Sequence, residues 1–385
     1  MWQQADGGEQ REPALVREEV GRADEEMPRV ALTRRQLVLF SVFILTGIAF
    51  FYFVLPKLAG IGTTLHRIER GDSWWIGIGV LFEIASFAGY VVLFRAVFVR
   101  GGERIGWSES YQITMAGLVA TRLFAAAGAG GVALTAWALR RSGMEPRLVA
   151  CRMVAFMVLL YVVYAASLLI DGIGLGSGLF PGGGSFAITI LPAIIAAVLF
   201  AIAGAMALLP GDLERRLEGW AKGSGRLAHW VARAVTVPAL AASGVRTAID
   251  LVRSRNGGLL GALAWWGFDI SVLWAMFHAF GTPPPFTVIW MAYFVGMLGN
   301  LLPLPGGLGG VEGGMIGAFA AFGVDFNLAL LAVLSYRGIS FWLPTFPGAV
   351  AYFQLRRTVA RWRDEQNGLE QAGARVEPAR ALQSS

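Results

Sequence analysis

The segment 37–55, LVLFSVFILTGIAFFYFVL, carries no charged side chain and matches the ~20 apolar residues needed to cross a bilayer core of about 30 Å. Five further segments, 74–98, 148–170, 186–209, 259–280 and 328–353, are apolar on the same scale. Hydrophobic residues make up 56% of the 385 and charged residues 15%, against roughly 45 to 50% and about 25% in soluble chains. Because the excess is blocked into span-length runs, the chain reads as an all-α, polytopic integral membrane protein.

Composition removes several functional classes. Cys151 is the only cysteine, and His66, His229 and His278 are scattered, so neither a disulfide framework nor a metal or haem site is expected. No cofactor is expected. The net charge of +6 rests almost wholly on arginine, with Lys57 and Lys222 the only lysines. Those arginines flank apolar runs, a placement that suits anionic lipid at a cytoplasmic face and not nucleic acid. Abundant alanine and 50 glycines point to a GC-rich bacterial source, and so to a bacterial inner membrane.

The charge-mixed segment 1–33 reads as a disordered cytoplasmic tail. The first apolar block is long enough to remain as a span, so no signal peptide is expected. A transmembrane domain over 34–355 and a second disordered cytoplasmic tail over 356–385 complete the division. Lys and Arg concentrate in cytoplasmic loops, so Arg34 and Arg35, the basic linker 210–256 and the arginines after 353 put both termini and the linker inside. The base-free stretches 171–185 and 281–285 face out. The loop 56–73, with Lys57, Arg67 and Arg70, dissents and is outvoted.

Two regions, 111–139 and 285–322, are apolar but interrupted by glycine, and the second also by proline, so neither is one continuous helix. Basic loops on both sides of the first return it to the cytoplasm, whereas the second starts and ends outside. Each reads as a re-entrant hairpin, in opposite orientations. Aligning TRLFAAAGAGGV at 121–132 on NLLPLPGGLGGV at 300–311, an offset of 179, pairs Gly128 with Gly307, Gly130 with Gly309 and Gly131 with Gly310. A similar offset carries 74–98 onto 259–280 and 148–170 onto 328–353. The expected architecture is two inverted-topology repeats, about 74–170 and about 257–353, each with a broken hairpin, as in many secondary transporters. A duplication without present function would leave the same pattern.

An ionisable group at membrane depth costs roughly 2.5 to 3.5 kcal/mol on insertion scales. The chain keeps Glu83, Arg95, Arg122, Arg152, Asp269, His278, Glu312 and Arg337 in such segments. Arg95, Arg152 and Asp171 lie near span ends, where snorkelling suffices. The deeper Glu83, Asp269, Glu312 and Arg337 can serve a polar substrate or pair with one another for folding alone. In GNLLPLPGGLGGVEGG at 299–314, Pro303 and Pro305 remove amide donors, while Gly306, Gly307, Gly309 and Gly310 permit positive φ. Glu312 follows at the start of the returning helix, whose N-terminus suits a phosphate unless Glu312 caps it or holds a cation. A glycine-lined packing seam is the plainer reading. Arg337 offers paired donors for a lipid phosphodiester, and Arg152 holds a broadly corresponding place in the first repeat.

PLPGGLGGVEGG followed by LSYRGISFWLP resembles the transmembrane, flippase-like domain of bacterial lysylphosphatidylglycerol synthase/flippase proteins and their stand-alone relatives, over about 35–360. AGAGGVALTAWALRRSGM resembles the family's first-half motif, although Phe124 and Ala126 stand where a proline-rich approach is expected. The resemblance implies movement of an aminoacylated or otherwise modified phospholipid between leaflets, without catalysis. About 30 polar residues follow the last span, leaving no room for a synthase. Residue by residue it points to Pro305, Gly306, Gly307, Gly309, Glu312, Tyr336 and Arg337. The lipid-binding candidates are then Arg337, Tyr336, Glu312, Arg152, Asp269, Asn300 and Arg122. The hairpin candidates are Pro303, Pro305, Gly306, Gly307, Gly309, Gly310, Gly128, Gly130 and Gly131. Expected partners are an anionic or aminoacylated membrane phospholipid, a separate lipid-modifying enzyme and a second copy of the chain. A scaffold or accessory subunit of lipid or glycolipid synthesis, or a membrane enzyme, are the alternatives.

Overall fold

The computed structural model describes residues 71–99, 104–123, 129–208, 226–302 and 307–383. The 1–33 tail, the 37–55 run, nearly all of the 56–73 loop, Phe124, Ala126, Gly128, Pro303, Pro305 and Gly306 lie outside them. Among the described residues all regular structure is helical, and five helical stretches are long and apolar enough to cross a membrane. The protein is an all-α, multi-pass membrane protein.

Helix α1 (Ser73–Phe98) is capped by Asp72, whose side chain accepts the Trp74 amide at 2.9 Å. The hairpin α2 (Trp107–Leu123) and α3 (Ala129–Arg141) follows, then α4 (Pro146–Gly176), which starts on a proline whose missing amide costs nothing in the first turn. Next come α5 (Ile190–Leu208), α6 (Arg226–Arg253), and a short 3-10 turn (Gly257–Leu260) leading into α7 (Gly261–Phe280). The second hairpin is α8 (Phe286–Met297), a 3-10 turn (Leu298–Leu301) and α9 (Gly310–Ala321). The described chain ends with α10 (Phe326–Arg337), a π-helical turn (Gly338–Trp342) and α11 (Thr345–Gln383).

The α1–α7 pair is the axis of the fold. The two helices run antiparallel: the Asp72 amide donates to Ala279 O at 3.0 Å, Ser86 Oγ donates to Trp265 O at 2.8 Å, and Gly258 sits against Ala96. A methyl at Gly89 would lie 2.7 Å from Ala264 Cβ, so the backbones approach as closely as a missing side chain allows. In a bilayer, where lipid tails are as apolar as leucine, such close fit holds helices together better than hydrophobic burial does.

Each broken hairpin closes on a seam of small residues. In the first, Gly131 lies against the Gly117 carbonyl and the Thr121 hydroxyl. In the second, a methyl at Gly314 would lie 3.0 Å from Gly296 Cα, and one at Gly310 2.7 Å from Gly299 O. Gly117 and Gly296 are separated by 179 residues, as are Gly131 and Gly310. At 1.5 Å per residue, α8 and α9, 12 residues each, are about 18 Å long, well short of the ~30 Å core.

Four sequence expectations change. The span over 328–353 is not one continuous α-helix: it widens into the π turn at Gly338–Trp342, just ahead of Pro344 and Pro347. The helix that follows the last apolar run extends past 355, since α11 is continuous from Thr345 to Gln383. Ala351, Leu355, Thr358, Val359 and Trp362 form a helix-spaced buried stripe. That stripe packs on α2, and Thr358 donates to Gln112 Oε1 at 2.9 Å; arginines on the other face hid it from a charge-based reading. The span over 186–209 becomes helical only at Ile190. Asp171 does not snorkel: it is 2% exposed inside α4, and neither carboxylate oxygen has a hydrogen-bond partner.

A buried charged site between the two hairpins

The antiparallel register that sets Ser86 on Trp265 also brings Glu83, near the middle of α1, against Asp269, near the middle of α7. The two carboxyls are close enough to act on each other electrostatically. Both are buried, at 1% and 7% exposure. Asp269 Oδ2 accepts the Tyr336 hydroxyl at 2.8 Å from α10 and the Tyr293 hydroxyl from α8. Glu83 Oε2 has no hydrogen-bond partner.

The two hairpins flank this pair with opposite charges. From the second, Glu312 sits in the first turn of α9 and works in two directions. Its Oε2 accepts the Gly309 amide at 2.7 Å, and its Oε1 accepts Arg337 Nε at 2.7 Å. The positive end of α9, which the sequence offers to a phosphate, is therefore already covered by a carboxylate of the chain itself. Gly307 and Gly309 take positive φ, at 67° and 85°, a conformation that leaves room for the turn only without a side chain. Gly310 is instead the first residue of the helix.

From the first hairpin, Arg122 at the end of α2 donates to Ser340 O at 3.0 Å and Phe341 O at 2.8 Å. These carbonyls are available for a local reason. In an α-helix the Ser340 carbonyl would receive the amide of residue 344, and residue 344 is a proline. The π turn widens the chain at the same point. A guanidinium with its donors in a fixed fork satisfies both carbonyls at once. Arg122 and Arg337 share the Phe341 ring, at 5.3 and 5.1 Å from its centroid.

The structure thus brings together Arg122, Asp269, Glu312, Tyr336 and Arg337 of the residues selected from sequence. It does not bring Arg152 there. That side chain donates to Phe98 O at 2.7 Å, and Phe98 lies fifteen residues beyond Glu83 on α1, about 22 Å along the helix. Asn300 sits in the 3-10 turn of the second hairpin, its amide on Met297 Sδ and its carbonyl against Gly307. Gly130 and Gly131 lie in the first turn of α3. Arg95 is held at the other side of the first hairpin, by Ser110 Oγ at 3.1 Å and the Trp107 ring. Sequence reasoning passed over Tyr293, and its signal was faint: one hydroxyl within FTVIWMAYFVGM. It named Glu83 as a deep charge without assigning it a place in the site.

Residues 36–348 match the family described as Lysylphosphatidylglycerol synthase TM region. Three UPF0104 membrane proteins of the archaeon Methanothermobacter thermautotrophicus are 37% identical over 109 residues, 36% over 115 and 36% over 91. Those matches cover 28%, 28% and 23% of this chain and 31%, 34% and 27% of the relatives, so the chain spans about a third of each.

Proposed function

Because the chain belongs to the lysylphosphatidylglycerol synthase transmembrane-region family, we propose that it moves a modified phospholipid, aminoacylated or glycosylated, between the leaflets of a bacterial cytoplasmic membrane, with both termini cytoplasmic. The observation that carries the reading is the charged cluster at mid-depth, where two membrane-length helices and both broken hairpins converge. A chain has little reason to retain Glu83, Asp269, Glu312, Arg122 and Arg337 there for stability, since apolar replacements of buried ion pairs are often neutral or better.

Two inverted repeats supply the moving parts in this reading. Ser86 and Trp265, in contact at 2.8 Å, are separated by the same 179 residues that relate the hairpin seams. A residue touching its own repeat counterpart lies on the axis relating the two halves. The short helices of the second hairpin fit a re-entrant element. Parting of Glu312 from Arg337 would expose a guanidinium for the lipid phosphodiester and a carboxylate for a cationic head group, one charge for each pole of an aminoacyl lipid. The acyl tails stay in the bilayer, and a separate enzyme makes the lipid.

The test is reconstitution of the full chain into phosphatidylglycerol vesicles containing head-group-labelled lysylphosphatidylglycerol, with the leaflet distribution followed by an impermeant quencher. We expect redistribution faster than in protein-free vesicles, abolished by Glu312→Ala and by Arg337→Ala. Redistribution that survives both substitutions overturns the site, and none by the folded wild-type protein overturns the function.

A further inference from the structure

The cluster described above contains more acid than base. Glu83, Asp269 and Glu312 bring three carboxyls and Arg122 and Arg337 two guanidiniums, so with every group ionised one negative charge is left over. The excess has a location. Glu312 is matched by Arg337 and by the Gly309 amide, and Arg122 is engaged with the Ser340 and Phe341 carbonyls. Among the described residues, no cation is hydrogen-bonded to Glu83 or Asp269.

The donors around the pair are also unevenly shared. Tyr293 and Tyr336 both donate to Asp269 Oδ2, and Glu83 Oε2, 1% exposed, has no hydrogen-bond donor among the described residues. Two carboxylates in contact cannot both keep their charge in a medium that screens poorly. An occupant carrying one positive charge removes the surplus, supplies the missing hydrogen bond, and must be small enough for a space closed to solvent.

We infer that Glu83 and Asp269 form a single proton-binding site at the centre of the membrane domain, and that this proton is exchanged when the α1–α7 pair and the hairpins rearrange. The groups that act on the pair are Arg122 from α2, Tyr293 from α8, and Tyr336 and Arg337 from α10. Opening the Glu312–Arg337 pair would turn Arg337 toward the carboxyls and favour proton release, so head-group binding and proton release would be linked. The proton site rests on the register of α1 and α7, the two tyrosine hydroxyls on Asp269 and the enclosed Glu83 carboxyl, whereas its link to lipid movement rests on the function proposed above.

Infrared spectroscopy of the full chain in lipid nanodiscs tests the site without any transport. The wild-type spectrum at neutral pH should contain a protonated-carboxyl stretch that shifts on exchange into deuterium oxide. Wild-type minus Glu83→Gln and wild-type minus Asp269→Asn difference spectra should each show that band lost, while Asp171→Asn, which removes a buried carboxyl elsewhere on α4, should leave it. A band present in both pair variants, or one that appears only when sodium is withdrawn, overturns the proposal, the second result identifying the cation as sodium. Deuterium exchange of the wild-type band keeps the test alive should a variant fail to fold. In the vesicle assay an imposed pH gradient should bias wild-type redistribution several-fold and leave Glu83→Gln unbiased. The infrared band with no lipid movement retires the transport reading and leaves the site; lipid movement without the band does the reverse.

Discussion

The two broken hairpins share a scaffold and differ in what they deliver. Both close on a small-residue seam, Gly117 against Gly131 in one and Gly296 and Gly299 against Gly314 and Gly310 in the other. Both end at the segment 337–342. The first brings a cation there, and Arg122 meets neutral carbonyls freed by Pro344 and the π turn. The second brings an anion, and Glu312 meets the charged Arg337. Backbone spacing set by glycines is therefore separable from the chemistry carried at the tip, and one hairpin form serves two opposite electrostatic roles.

The two hairpins should differ most at the ion pair. Arg337→Ala leaves Glu312 buried at 2% exposure without its countercharge, and removal of one partner of a buried pair costs about 3 to 5 kcal/mol. Thermal unfolding in detergent should fall accordingly, and Glu312→Ala added to Arg337→Ala should recover much of the loss. Arg122→Ala should cost less, about 1.5 to 3 kcal/mol, the range for hydrogen bonds to a charged group, because the carbonyls it leaves behind carry no net charge and Thr345 Oγ1 still donates to one of them at 2.6 Å. Equal losses for the two arginines would erase the distinction between the hairpins.

The shared scaffold is sharpened by paired substitutions. Gly131→Val and Gly310→Val should each destabilise by about 1 to 3 kcal/mol, as overpacking does, and by similar amounts, since each faces a backbone carbonyl across its seam. A loss confined to one of them would mean that only one seam is tight. The smallest effect is expected for Pro344→Ala. It restores an amide for the Ser340 carbonyl, so alone it should change stability by under about 1 kcal/mol, but it should soften the cost of Arg122→Ala in a double-mutant cycle. Strict additivity would show that Arg122 does not act through that carbonyl.

Much of the frame was readable from one dimension. Apolar runs over 74–98, 148–170 and 259–280 became helices close to those limits, because a bilayer demands length and leaves little else to satisfy. The glycine and proline interruptions marked both hairpins, and the rule that deep charges are expensive marked Glu83, Asp269, Glu312 and Arg337. What escaped was partnership. Arg152 looked comparable to Arg337 by its place in the repeat, yet it closes onto the Phe98 carbonyl at a helix end. Asp171 looked near enough to an interface to reach water and is enclosed. The stripe 351–362 was present in the sequence but masked by Arg356, Arg357 and Arg361 on the other face.

Sequence alone was enough to say that this chain lives in a membrane, roughly where three of its spans lie, which two regions cannot be simple helices, and which charges are out of place. Tertiary packing was needed to set Glu83 beside Asp269, 186 residues apart, to bring Tyr293 onto Asp269, and to lead both hairpins to the segment 337–342. The physical reason is that hydrophobicity and helix breaking are properties of a segment and its surroundings. The pairing of buried charges depends on the antiparallel register of α1 and α7, which close glycine contacts fix to within a residue.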